Sequence, residues 1–387
     1  MPASKKTNKK RTRKVNVELT IFFALLVVIV GAFLIAQANI SITGAAVGTL
    51  RLEEQSGQMP EIQQIDIQTI PAITLVLNTT NISSNDTNTN LTAYNTTRTN
   101  GTSLKVIYSW LRNGTSLTFL NMPFEGVNGT ATNNGWDYSG HGSNASDYGN
   151  AFWNATGGYD GKGAYKFDGT EDYLSGVLPP TTANEAITIT AWVRLDDLTG
   201  QRIIINKGKS GDCFGYGMGS TNDRLLASNN DGYSVLGSGI VIDVWQYLAI
   251  SYNASGVFGY INGVLIGSNP STTTSACAQT NYTIGIEPTS NNFDFKGHID
   301  ELTIWNRSLS AEQINALFNN KTKEIVSQET MRGENWSILA TPNNGTGDGN
   351  QVLSSNVTIL NAKPTISILV LNTTNISSNN TDVNLTA

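Results

Sequence analysis

Between Met122 and Asn320 the chain is written in short runs where apolar and polar residues alternate, separated by Gly, Asn and Asp. A repeat of two residues puts one face of a strand inward and the other outward, and it cannot place a continuous apolar stripe on a helix. Ile187 to Arg194 is the clearest case, with Ile187, Ile189, Ala191 and Val193 on one face and Trp192 on the other. Trp245 to Tyr252 repeats the pattern, turns at Asn253-Ala254-Ser255-Gly256 and returns over Val257 to Ile261. Asn262-Gly263 then predicts a two-residue hairpin into Val264 to Ile266, because both positions tolerate positive φ. These are the parts of an antiparallel all-β sandwich. The one helical signal is Ser310-Ala311-Glu312-Gln313, with capping-box spacing, followed by Ile314, Leu317 and Phe318 on one face.

Charge is sparse and uneven. Charged residues make up 14% of the 387 residues, and seven of the 24 Lys and Arg precede the first acid, Glu18, so the remainder carries 17 bases against 30 acids. A strongly acidic body argues against nucleic acid as a partner. Directly after the basic tail of residues 1–18, Leu19 to Ala36 is uncharged and apolar. At 1.5 Å per residue it nearly crosses a ~30 Å hydrocarbon core, and the bases before it keep the N-terminus inside. We read 19–37 as a transmembrane anchor that places the C-terminal bulk outside the cell. A cleaved signal peptide is the competing reading, with small-residue sites at Ala36-Gln37-Ala38 and Gly44-Ala45-Ala46. About twenty Asn-x-Ser/Thr sequons, among them Asn78, Asn113, Asn281 and Asn372, suit a glycosylated surface protein.

Residues 38–71 read as a stalk. Leu75 to Ala93 then recurs as Leu369 to Ala387, about 16 of 20 aligned positions matching when one residue upstream is counted, so 362–387 is expected to start a further repeat that the sequence cuts short. Residues 72–121 and 321–361 each hold too few strands to bury a core, but together supply those of a small immunoglobulin-like sandwich interrupted by 122–320. Trp110 and Trp336 are expected to face each other across its two sheets.

Several segments in order resemble the laminin-G-like jelly rolls of the concanavalin-A-like lectin/glucanase superfamily: PheGluGly at Phe124 with AspTyrSerGly from Asp137, TyrAspGlyLysGlyAlaTyrLysPheAspGly from Tyr159, AspTyrLeu at Asp172, IleThrAlaTrpVal from Ile189, TyrIleAsnGly at Tyr260, and GlyHisIleAspGluLeuThrIleTrp from Gly297. The resemblance implies a two-sheet jelly roll over 122–320 on a prokaryotic cell surface, used to bind glycans or proteins, often with one rim Ca2+. By alternation His298, Asp300, Leu302 and Ile304 share the core face, and an inward carboxylate needs a metal or several donors. The resemblance brings Asp137 close to Asp300, and the pair would hold Ca2+ with backbone carbonyls. Against this stands a plain turn role for Asp137 and a loop-capping role for Asp300. Asp168 and Asp172 are weaker additional ligands, since Asp in a Gly-rich turn is favoured for its own hydrogen bonds.

Cys213 and Cys277 are the only cysteines. On the exported side they are expected to form a disulfide, the alternative being two thiols. Tyr216, Tyr233 and Phe293, in loops rich in Gly, Asn and Asp, are candidate sugar-stacking residues, with ordinary turn or core aromatics as the alternative. Catalysis has little support: a retaining glycosidase needs two carboxyls ~5 to 5.5 Å apart, and alternation makes Asp300 and Glu301 face opposite ways. The expectation is therefore a non-catalytic recognition or adhesion protein. Its rivals are a structural coat repeat without a ligand and a glycan hydrolase.

Overall fold

The computed structural model describes residues 72–79, 88–98, 104–127, 134–209, 212–230, 232–287 and 293–360, with short strand segments at 17–20, 47–50, 372–373 and 385–386. Most of the 19–37 apolar run lies outside these residues; Leu19 and Thr20 close a short strand, Val17–Thr20, paired with Val47–Leu50. Among the described residues no helix is long and apolar enough to cross a membrane.

Two antiparallel sheets form the larger body. The eight-stranded sheet runs Val264–Asn269, Gly256–Ile261, Gln246–Asn253, Ile187–Leu195, Lys296–Trp305, Ala164–Asp168 and Phe152–Asn154, with Thr118–Met122 also paired to Lys296–Trp305. The seven-stranded sheet runs Gly232–Ser238, Arg224–Asn229, Cys213–Thr221, Gln201–Lys209, Asn281–Ile284, Tyr173–Val177 and Ser146–Tyr148. The alternating residues read from the sequence meet between them: Ile187, Ile189, Ala191 and Val193 pack with Leu248, Ile250, Met218, Tyr282 and Ile284. Asn262-Gly263 makes the expected hairpin, with φ of 51° and 76°. Cys213 and Cys277 are disulfide-bonded, with Cα atoms 5.4 Å apart.

The outer face of the eight-stranded sheet is not free. Tyr247, Ala249, Tyr260 and Trp305 on that face pack into a second core with Ile314 and Leu317 of the helix Ala311–Phe318, and with Leu77, Leu91, Trp110, Ile325, Trp336 and Ile338 from either side of the larger body in sequence. Ser310 caps the helix by accepting from the Gln313 amide at 3.2 Å, while the Gln313 side chain bonds Glu324 and Val326 instead of completing a capping box. The flanking strands form two small sheets. Ala72–Thr79, Leu91–Arg98 and Glu324–Ile325 make one; Lys105–Arg112 pairs with Asn335–Asn343 along its whole length in the other. Trp110 and Trp336 do meet, edge to face at 6.3 Å, but on adjacent strands of one sheet rather than across two.

The repeated segment repeats its pairing as well. In the first copy Asn78 and Thr79 pair with Thr92 and Leu91; in the second, Asn372 and Thr373 pair with Thr386 and Leu385, the same positions shifted by the repeat.

Candidate functional site

Strand Lys296–Trp305 changes neighbour halfway. Its first half pairs with Ala164–Asp168, through Tyr165↔Ile299, and its second half with Thr118–Met122, through Leu302↔Met122. Asp300 and Glu301 sit at the handover. On the strand's other side the register also slips: Thr190 faces Thr303 but Trp192 faces Asp300, so one extra residue bulges out. Glu301 absorbs it with φ of 50°, a left-handed conformation uncommon for a side-chain-bearing residue.

The bulge corrects the alternation expected for this strand. Ile299, Leu302 and Ile304 make the core face. His298 and Asp300 point to the other face, where Asp300 and Glu301 lie together instead of opposed. His298 is buried edge-on to Trp245, and burial near Arg194 pulls its imidazole down to about 4.

The handover gathers four acids and one base. Lys105, the first residue of the flanking strand, pairs with Glu125 and Asp160 at 2.8 Å each and with Glu301. Asp300, fully buried, accepts from the Glu301 amide at 2.8 Å and the Tyr159 amide at 3.1 Å. A Cβ on Gly158 would come within 2.6 Å of its Oδ2, so only glycine fits there. Tyr159 stacks on Trp192 at 4.2 Å, with the Lys105 ammonium over its ring. Burial, then the charge of Glu301, pushes Asp300 well above the usual carboxylate range; burial also raises Glu125 and Glu301 against the pull of Lys105. The carboxylate oxygens of Glu125, Asp160 and Glu301 lie within 4.8 Å of one another, a spacing a metal could use, but the Lys105 ammonium contacts all three.

Asp137 is fully engaged. Its Oδ1 accepts from the amides of Asn121 and Ser139, and its Oδ2 from the Ser139 hydroxyl and the Ser143 amide, at 2.6 to 3.0 Å. Among the described residues its donors differ from those of Asp300, which accepts from the Glu301 and Tyr159 amides. Asp172 accepts from the amides of Asn150, 22 residues away, and Asp168, and Asp168 accepts from that of Thr170 within its own turn.

Of the three candidate aromatics, Tyr216 is a core residue on strand Cys213–Thr221, packed between the sheets. Its place in a strand of alternating glycines made it look like a loop residue. Tyr233 and Phe293 come together as an edge-to-face pair at 6.1 Å, with Tyr233 partly exposed. Tyr233 ends a register-matched row that crosses the outer face of the seven-stranded sheet: Ser146, Ser175, Thr283, Asn206, Gly217, Ser228, Tyr233. Gly217 is required in the row, because a Cβ would meet Asn206 Oδ1 at 2.1 Å and Ser228 Oγ at 2.2 Å. Asn206, Ser228 and Thr283 in the middle are buried, whereas the ends are open. Sequence reasoning missed the row because it is set by register between distant strands. It also missed Lys105, which lies outside the larger body in sequence.

The family model for the concanavalin A-like lectin/glucanases superfamily matches residues 167–315. That stretch is similar to laminin-G-like domains and lies within the two-sheet sandwich. Among solved structures, domain 4 of AbnA, a GH43 extracellular arabinanase from Geobacillus stearothermophilus, in complex with arabinotriose, is 20% identical at a TM-score of 0.41, covering 52% of this chain and 97% of that one. The receptor binding domain of botulinum neurotoxin D is 16% identical at 0.42, over 53% of this chain and 52% of that one. The binding domain of Paraclostridial Mosquitocidal Protein 1 is 16% identical at 0.42, over 52% of each chain. No curated protein matches.

Proposed function

We propose that this is a non-catalytic recognition or adhesion protein, anchored by its N-terminal segment and displayed outside the cell, whose laminin-G-like jelly roll binds glycans or surface proteins. The observation that carries the reading is the row across the seven-stranded sheet. Its open ends present a hydroxyl at Ser146 and an aromatic ring at Tyr233, the kinds of group that pair with sugar hydroxyls and stack on ring faces. The disulfide between Cys213 and Cys277 suits an oxidising compartment.

The flanking sheets are read as an immunoglobulin-like module interrupted by the jelly roll, with the second copy of the repeated hairpin opening another such module. The matched pairing of the two hairpins supports that reading and also favours, as a second reading, a structural coat repeat with the jelly roll as spacer.

Hydrolysis is disfavoured although Asp300 and Glu301 share a face. Asp300 is fully buried and Glu301 is paired with Lys105, so neither is free to act on a substrate in a cleft.

A glycan and surface-protein array probed with the full chain, in Ca2+ and again in chelator, tests the proposal. Saturable binding supports it, and loss of that binding in chelator would support the Ca2+ role proposed for Asp137 and Asp300. No binding by folded protein in either condition would leave the spacer reading.

A further inference from the structure

The row has two open ends, and only one is built as a platform. At the Ser146 end the sheet is extended by a bridge between Gly135 and Ala145. A Cβ on Gly135 would meet the Ala145 Cβ at 3.0 Å, and Ala145 belongs to the sandwich core, so Gly135 faces inward and its neighbour Trp136 outward. Exposure alternates to match: Asn144, Ser146 and Tyr148 are exposed while Ser143 and Ala145 are buried. Across the pair, Tyr148 lies opposite Tyr173 with the two rings parallel at 4.6 Å, and Ser146 lies opposite Ser175.

Trp136 at 47% and Tyr148 at 46% are among the most exposed aromatics of the described residues. They flank a polar stretch of Asn144, Ser146 and Ser175. At ~3.3 Å per residue, Asn144 to Tyr148 spans roughly 13 Å, enough for a short run of linked sugar rings. No charged side chain points outward from the three strands here: the outward residues are Ser146, Tyr148, Tyr173, Ser175, Val177, Asn281 and Thr283. Asp147 points inward, where it accepts from the Tyr165 hydroxyl at 2.8 Å.

Resting on the recognition reading above, we propose that the strip from Trp136 to Tyr148 and Tyr173 is the glycan-binding site, and that it takes neutral polysaccharides rather than uronate, sialylated or sulfated ones. Aromatic faces at both ends stack on apolar ring faces, and the Asn and Ser groups between them pair with hydroxyls. With no base on the strip, an anionic glycan would be desolvated without compensation.

The test uses the full chain on an array of neutral and acidic polysaccharides, followed by titration of Trp136→Ala, Tyr148→Ala, Tyr233→Ala and Tyr94→Ala. Tyr94, 47% exposed on the flanking module, controls for loss of any surface aromatic. The expected result is binding to neutral glycans, weakened at least tenfold by Trp136→Ala and by Tyr148→Ala and within twofold of wild type for Tyr94→Ala. Wild-type binding unchanged by the first two variants, or lost only with Tyr233→Ala, would overturn the site while leaving the recognition reading intact. Preference for acidic glycans would overturn the ligand class. No glycan binding by wild type would remove both the inference and the glycan part of the reading beneath it.

Discussion

Lys105 and Glu301, almost two hundred residues apart in sequence, form an ion pair that ties the flanking module to the jelly roll at the point where strand Lys296–Trp305 changes neighbour. Three carboxylates, Glu125, Asp160 and Glu301, share that one ammonium, so the joint depends on it. Isolated in water such pairs contribute little, but here the partners are largely buried and an unpaired acid could not regain its hydration.

Lys105→Met is therefore expected to destabilise the protein by about 3 to 5 kcal/mol, the usual cost of removing one partner from a buried ion pair. Denaturant unfolding of the variant against wild type measures it. A loss under 1 kcal/mol would mean that the acids are adequately solvated without Lys105.

The same cluster fixes the sign of a pH effect. Asp300 has a folded pKa raised above its unfolded value, with Glu125 and Glu301 raised in the same direction, so the folded state holds protons that the unfolded state releases. Their contribution is fully present below the ordinary carboxylate range and is lost as pH climbs towards the elevated folded values. Stability is expected to fall from about pH 5 towards neutrality, and Asp300→Asn to flatten the fall. A wild-type profile that rises across that window would contradict the account.

How much of this could be read from the chain depends on how local the signal is. The Asn262-Gly263 hairpin, the Ile187 strand and the Ser310 cap were legible because each is decided within a few residues. The face of Asp300 was not, since period-2 counting assumes an unbroken strand and Glu301 breaks it with one left-handed residue. Trp110 and Trp336 were identified as partners but placed on opposite sheets, because pairing of Lys105–Arg112 with Asn335–Asn343 closes across the entire inserted jelly roll. Tyr216 follows the core alternative rather than the sugar-stacking one for a related reason: Gly215, Gly217 and Gly219 look like turn residues, yet they are the outward positions of a strand whose inward positions are Tyr216 and Met218.

Gly217→Ala tests whether the row on the seven-stranded sheet is as tightly set as its geometry requires. The added methyl would push against Asn206 and Ser228, and an overpacking cost of about 1 to 3 kcal/mol is expected. Thermal unfolding would show it. An unchanged midpoint would mean that the two side chains turn away freely.

Reducing the Cys213–Cys277 bond releases a loop of 64 residues in sequence separation. On the chain-entropy model the loss is about 4 kcal/mol, seen as a lower denaturant midpoint in reductant. Coincident oxidised and reduced curves would show that the bond adds nothing to stability.

The central claim is recognition without turnover, and one sample can test both halves. The full chain is incubated with a panel of soluble polysaccharides; its retention is measured by affinity electrophoresis and new reducing ends are assayed in the same mixture. The account predicts retarded migration on at least one neutral polysaccharide with no reducing ends above the blank. Reducing ends that grow with time, or unretarded migration on every polysaccharide, would contradict it.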